Sequence, residues 1–180
     1  IPSMSNLPEI KLRLAKEGDD YKPYARDPET LARTWALPGT KGLEHRIGGL
    51  EKMNITGTIS YVPENHQVMT DLREEKVARI ADSIPEQEVF GNPEGGEVLV
   101  VGWGGTYGHL YTTVKEMRAE GKDVSLAHFN YINPLPKNTE AIFARYKKII
   151  VCELNLGQFA KYLKSKYPQF EYKQVNKVAG

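Results

Sequence analysis

EVLVVGWGGTYGHLYTTVKEMRAEG, residues 97–121, decides the fold. Its first six residues, EVLVVG, are β-rich and apolar on both faces, as a buried parallel strand is. A knot of glycines follows. TYGHLYTTVKEMRAEG (106–121) then carries Leu110, Val114 and Met117 at helical spacing, with Gly121 placed as a C′ stop. A strand that turns through glycine into a helix opens a β-α-β unit.

The alternation continues downstream. DVSLAHF (123–129) reads as a second strand, and YINPLPKN as a loop whose Asn138 can cap the helix TEAIFARY. KKIIVCEL (147–154) is a third strand, GQFAKYLKSKY a helix ended by Pro168, and FEYKQV a last strand. This order predicts an α/β fold: an open, mostly parallel sheet with helices on both faces.

Upstream the grammar differs. Residues 1–62 are broken by prolines at 2, 8, 23, 28 and 38 and by Gly39, Gly42, Gly48, Gly49 and Gly57. They still carry Tyr21, Tyr24, Trp35, Leu37, Leu43, Ile47 and Tyr61, too many large apolar groups for a free linker. An irregular, ordered strap laid over a neighbouring domain or subunit is expected. PENHQVMTDLREEKVARIADSI (63–84) predicts one helix, with Asn65 as N-cap, Met69, Leu72, Val77, Ile80 and Ile84 on one face, and Pro85 as its end. The expected organisation is thus a strap (1–62), a helix and connector (63–96) and the α/β domain (97–180).

Charge is balanced, with 24 basic and 23 acidic residues interleaved. No basic stripe points to nucleic acid, and no apolar run nears the ~20 residues that span a bilayer. The single cysteine, Cys152, excludes a disulfide framework and a cysteine-only iron–sulfur site on this chain. A cytoplasmic, reducing setting is expected. The start at Ile1 and the stop at VNKVAG read as the ends of a piece of a longer protein.

In an open parallel sheet, ligands bind beyond the carboxyl ends of the strands. The Gly102–Gly108 turn falls there. Gly104, Gly105 and Thr106 are the candidates for an anion site, with Thr106 as a helix cap. A dinucleotide fingerprint would need glycine where Tyr107 stands, and HFNYIN (128–133) lacks the acid that would hold a ribose. A structural turn is the favoured reading. The alternative is a stand-alone Rossmann-like module that binds a nucleotide or anion at this turn.

Other chemistry is sparse. None of His45, His66, His109 and His128 is spaced i,i+4 with another histidine or with cysteine, so no zinc pattern arises. His109, His128 and Cys152 read as structural residues. RDPETLARTWALPGTKGLEHRIGGLEK (26–52) differs, because it packs Arg26, Arg33, Glu44, His45, Arg46 and Glu51 around two tight turns. Arg26, Glu44, His45 and Arg46 are its candidates for an interface or a loop facing an active site.

These same residues carry a family resemblance. PYARDPETLARTWALPGTKGLEHRIGGLEK, TGTISYVPENHQVMTDLREEKVARIADSIP and VGWGGTYG, in collinear order, resemble the alpha subunit of 2-oxoacid:ferredoxin oxidoreductases, and most closely the 2-oxoglutarate type. The resemblance implies a C-terminal portion of that subunit: the end of a thiamine pyrimidine-binding domain, then a domain like the transketolase C-terminal fold, commonly with its first strand antiparallel. It implies no catalytic, cofactor or metal residue on this chain. Thiamine diphosphate, magnesium and a 4Fe-4S cluster would belong to the full complex, mostly to its beta subunit. Beta is the expected partner in an oligomer, and ferredoxin and CoA would meet the assembled enzyme. The expected reaction converts 2-oxoglutarate, CoA and oxidised ferredoxin to succinyl-CoA, CO2 and reduced ferredoxin, and the isolated piece should be inactive.

Overall fold

The computed structural model describes residues 12–178. Pro2, Pro8 and the final Ala-Gly, read above as part of the strap and the chain's end, lie outside them. Contacts divide the chain into two compact units, with the boundary between Ile80 and Ala81.

In the first unit the strap has bridges rather than strands. Leu14 pairs with Trp35, Tyr24 with Ile55, Arg26 with Arg33, and Lys52 with Ile59. Its small core holds Ala15, Leu31, Leu43 and Met69. One helix, α1 (Pro63–Arg79), packs here, and a single 3-10 turn over Ile80–Asp82 follows it. The helix is therefore shorter than the expected 63–84.

Asn65 is not the N-cap. Val62 occupies that position and Pro63 opens the helix, as its fixed φ and missing N–H favour. Asn65 instead turns its buried amide into the strap. Its Oδ1 accepts from the Asn54 N–H at 2.9 Å and its Nδ2 donates to the Lys52 carbonyl at 2.8 Å. The expected apolar stripe is only half used: Met69 is buried, while Val77 and Ile80 stay exposed. Beyond Met69 the strap reaches α1 mainly through polar groups, among them Arg79, which donates to the Pro28 and Glu29 carbonyls. Trp35, Leu37, Ile47 and Tyr61 are likewise exposed on this chain.

The second unit, from Ala81 onward, contains the predicted α/β sheet. Four strands, β1 (Gly96–Trp103), β2 (Val124–Phe129), β3 (Tyr146–Glu153) and β4 (Tyr172–Asn176), lie in the order β2-β1-β3-β4. Each neighbouring pair is parallel. The antiparallel strand implied by the family resemblance is not present among the described residues. A single antiparallel bridge stands at the outer edge of β2, where Phe90 and Leu126 exchange two N–H···O bonds of 2.9 Å.

Alternation along the strands fills both faces. Leu99, Val101, Phe129, Ile149 and Val151 meet α3 (Thr139–Phe143) and α4 (Gln158–Lys166) in the larger core. Val98, Val100, Val124 and Leu126 meet α2 (Tyr107–Ala119) through Leu110, Val114 and Met117. Gly121 takes φ +83 just past α2, as a C′ glycine does. The helix expected over 139–146 stops at Phe143, because Tyr146 is drawn into β3 opposite Gly96. Asn138 precedes it without capping it. Its side chain spans instead to Gln87, accepting from the Gln87 N–H and donating to the Gln87 carbonyl, both at 2.9 Å.

Candidate functional site

The glycine turn lies at the carboxyl end of β1, where a ligand would be sought. Gly102 has no room for a side chain, since a Cβ there would run into Leu110 Cδ1 and lie 2.9 Å from Thr106 Oγ1. Gly104 takes φ +59, and Gly104–Thr106 form a 3-10 turn leading into α2. Thr106 does not cap the helix forward. Its hydroxyl folds back and donates to the Trp103 carbonyl at 2.8 Å.

The crevice between β1 and β3, where the strand order reverses, is a cleft of about 220 Å³ lined by Trp103, Gly104, Gly105, Thr106, Leu154 and Asn155. Two of these lining side chains, Trp103 and Asn155, donate to a carboxylate of the chain. Glu153, at the end of β3, is 3% exposed. Its Oε1 accepts from Phe159 N at 2.9 Å, Asn155 Nδ2 at 3.0 Å and Trp103 Nε1 at 3.2 Å, and its Oε2 from Ala160 N at 3.0 Å. Burial alone would raise the pKa of this group. The two backbone N–H groups and the two side chains override that and hold it below the ordinary glutamate value. Thus the N-terminus of α4, a natural anion seat, is filled by the chain's own anion.

On the β2 side a second cleft of about 560 Å³ is lined by Gln87, Glu88, Gly104, Tyr107, His128 and Asn130, among others. Burial lowers the His128 pKa despite hydrogen bonds to the Trp103 and Gly104 backbone, which disfavours the charged ring. The Tyr107 ring meets it edge-on at 5.1 Å. His128 therefore acts as a packed structural histidine. Cys152, half-buried in β3, has its thiol pKa pushed up by burial, which disfavours a nucleophilic thiolate.

In the first unit the four expected residues lie in two places. Glu44, His45 and Arg46 are exposed and line one shallow cleft with Thr56–Ile59. His45 Nδ1 is 2.8 Å from the Leu43 carbonyl, and its ring lies 5.4 Å from that of Tyr21. Arg26 lines a different cleft of about 600 Å³, together with Arg33, Lys52, His66 and Arg73. Of these, His66 and Arg73 escape any reading of local spacing, because they lie on α1 and reach Arg26 only where that helix docks on the strap, whereas Lys52 is brought there by the fold of the strap itself. The Arg26-x6-Arg33 hairpin was the one visible signal. Among the described residues, no three His, Cys, Asp or Glu side chains converge to hold a metal ion, and no helix is long and apolar enough to cross a membrane.

Residues 96–180 match the family described as pyruvate:ferredoxin oxidoreductase core domain II. The whole chain is 46% identical to 2-oxoglutarate oxidoreductase subunit KorA of Mycobacterium tuberculosis, of which it spans 27%. Over 112 residues, 58% of this chain, it is 31% identical to the alpha subunit of 2-oxoacid:ferredoxin oxidoreductase 1 of Aeropyrum pernix, spanning 17% of that protein. The chain thus spans less than a third of the length of either relative. Among solved structures, a 2-oxoglutarate:ferredoxin oxidoreductase from Magnetococcus marinus, with 2-oxoglutarate, coenzyme A and succinyl-CoA bound, superposes with a TM-score of 0.87 at 26% identity, over 99% of this chain and 31% of that one. The parallel sheet and its two-sided core agree with that likeness, and the chain belongs to the 2-oxoacid:ferredoxin oxidoreductase alpha subunits, with its residues 96–180 forming their core domain II.

Proposed function

We propose that this chain is the structural and assembly portion of the alpha subunit of a thiamine-diphosphate-dependent enzyme that oxidises 2-oxoglutarate with CoA and ferredoxin, giving succinyl-CoA, CO2 and reduced ferredoxin. The observation that carries this reading is the 46% identity to a 2-oxoglutarate oxidoreductase subunit along all 180 residues. In this reading residues 1–62 close a preceding domain, 63–96 connect, and 97–180 pack against neighbours in a cytoplasmic complex with a beta subunit.

Thiamine diphosphate, magnesium and an iron–sulfur cluster supply the decarboxylation and electron-transfer chemistry of such enzymes. The thiol and the buried carboxylate of this chain do not suit a cluster or a magnesium ion. The one cysteine lies half-buried within a strand, and the buried carboxylate Glu153 is saturated by four donors of its own. The contribution of this chain is therefore to position and to bury. Glu44, His45 and Arg46, exposed on the strap, and Arg26, on its cleft, are the polar groups proposed to face the neighbouring domain. The exposed Trp35, Leu37, Ile47 and Tyr61 supply apolar area for the same contact.

The test uses the full-length subunit co-expressed with its beta subunit and purified anaerobically. CoA-dependent viologen reduction is recorded with 2-oxoglutarate, pyruvate and branched 2-oxoacids in turn. Reduction with 2-oxoglutarate alone is expected. Preference for another acid would refute the substrate, and no reduction by a fully loaded complex would refute the reaction. Deleting residues 26–52 should weaken assembly with beta, and unchanged co-purification would count against the strap's role.

A further inference from the structure

The strap cleft carries more positive charge than the chain neutralises. Arg26 and Arg33 face each other across an antiparallel bridge, an arrangement that like charges disfavour. Both guanidinium groups lie over the Tyr24 ring, at 5.9 and 4.4 Å from its centroid. Lys52 is 2% exposed, and its ammonium is held only by the Gly48 carbonyl at 2.6 Å and the Leu50 carbonyl. Among the described residues, none of these three cations forms an ion pair.

The nearby carboxylates are committed elsewhere. Asp27 accepts from the Glu29 and Thr30 backbone, from the Thr30 hydroxyl and from Arg13, which together hold its carboxyl well below the usual carboxylate range. Glu51, the one acid among the described residues lining the cleft, lies 2.5 Å from His66 Nδ1 and 3.6 Å from Arg73. Arg26 is also fixed before any ligand arrives. It donates to the Tyr24 carbonyl at 3.0 Å and to Asn54 Oδ1 at 2.8 Å, and Asn54 is itself held by Asn65. Leu31 and Ile55 adopt φ of +56 and +68 on either side of this arrangement. For Ile55, whose side chain is β-branched, that is an outlier of the kind that clusters at ligand clamps.

We infer that this cleft binds a phosphate-bearing small molecule, with Arg26, Arg33 and Lys52 as its anion-binding residues. Three unneutralised cations exceed what one monocarboxylate would balance and suit a multiply charged phosphate group. Two planar guanidinium forks side by side match tetrahedral oxyanions. The cleft's volume of about 600 Å³ leaves room for more than the phosphate. The inference stands apart from the oxidoreductase reading, because binding is read without turnover.

Isothermal titration of the full-length protein with sodium pyrophosphate tests it. Saturable binding is expected, weakened several-fold when salt rises from about 50 to about 200 mM. Arg33→Gln, at an exposed position, should weaken Kd at least tenfold. Arg73→Gln, on α1, should weaken it several-fold and serves if the first variant is unstable. Lys161→Gln, on α4, should stay within twofold of wild type. The absence of saturable binding, equal affinity in Arg33→Gln, or tighter binding of succinate than of pyrophosphate would each overturn the proposal.

Discussion

Replacing Glu153 by glutamine removes one charge and almost no volume. Four donors converge on the two carboxylate oxygens, three on Oε1 and the Ala160 N–H on Oε2. A glutamine has one acceptor oxygen. If that oxygen takes the Oε1 position, its NH2 confronts the Ala160 N–H, donor against donor, and an amide in the first turn of α4 is orphaned. A buried unsatisfied donor costs about 1–3 kcal/mol. Losing a carboxylate at a helix N-terminus costs about 0.3–1 kcal/mol, and up to ~2 in a partly buried site. Glu153→Gln should therefore lower the unfolding free energy by roughly 3 kcal/mol, a large share of a total of about 5–15 kcal/mol. Urea titration followed by far-UV circular dichroism measures it without relying on Trp103, which belongs to the network. The pH dependence is a second check. The folded pKa of Glu153 lies below its unfolded value of about 4.3. Its stabilisation is therefore fully present above that pH and is lost as pH falls through the folded pKa. The gap between wild type and variant should narrow in acid. A variant within about 0.5 kcal/mol of wild type, with an unchanged acid limb, would refute the reasoning, because surface substitutions without a structural role stay in that range.

Three further outcomes follow from the packing. Phe143 is fully buried and meets the rings of Phe129, Tyr167, Phe170 and Tyr172 at centroid distances of 5.9–6.2 Å. Phe143→Ala should cost about 3–5 kcal/mol in the same titration, and a loss under ~1 would mean the core collapses around the gap. Burial lowers the His128 pKa in the fold, so stability owed to its neutral form is present above an unfolded pKa of about 6.5 and declines as pH falls below it. His128→Gln should flatten the stability profile between pH 7 and 5, and parallel profiles would assign that slope to other groups. Gly102→Ala should cost about 1–3 kcal/mol by overpacking, whereas Gly108→Ala, with nothing within 4 Å of its added methyl in α2, should be neutral or gain up to about 1 kcal/mol.

The sheet was legible because its first three strands carry apolar runs bounded by turn signals, and the more polar β4 follows the helix stop at Pro168. β1 was recognisable from Val98–Val101 and the glycines after them, and Gly121 marked the end of α2 by the chemistry that the structure uses. Polar side chains with two possible partners were less legible. Asn65, Thr106 and Asn138 all stand where a cap is expected, and each bonds elsewhere: to the strap backbone, to the Trp103 carbonyl and to Gln87. Local spacing cannot decide such a contest, because the competing partners lie up to 51 residues away. The cationic cleft was half legible for the same reason. Arg26 and Arg33 are seven residues apart on one hairpin, but Lys52 joins them only through the fold of the strap, and Arg73 only when α1 docks.

A glycine-rich turn after the first strand invites a phosphate, and what argues against one here is charge rather than shape. The turn keeps the geometry of a nucleotide-binding loop: a bend at Gly104, a helix start at Tyr107 and a crevice at the reversal of strand order. But the first glycine is demanded by Leu110 and Thr106, not by an approaching ligand. The Trp103 indole donates across the crevice to a carboxylate that has already taken the α4 terminus. A phosphate entering there would meet Glu153 in a low-dielectric site and gain no cation in exchange, since no lysine or arginine lines the crevice among the described residues. In the strap the balance is reversed, with cations in place and every nearby carboxylate engaged. Anion recognition in this chain is thus to be sought where the backbone is irregular and the side chains are charged, and not at the turn whose sequence most resembles a phosphate loop.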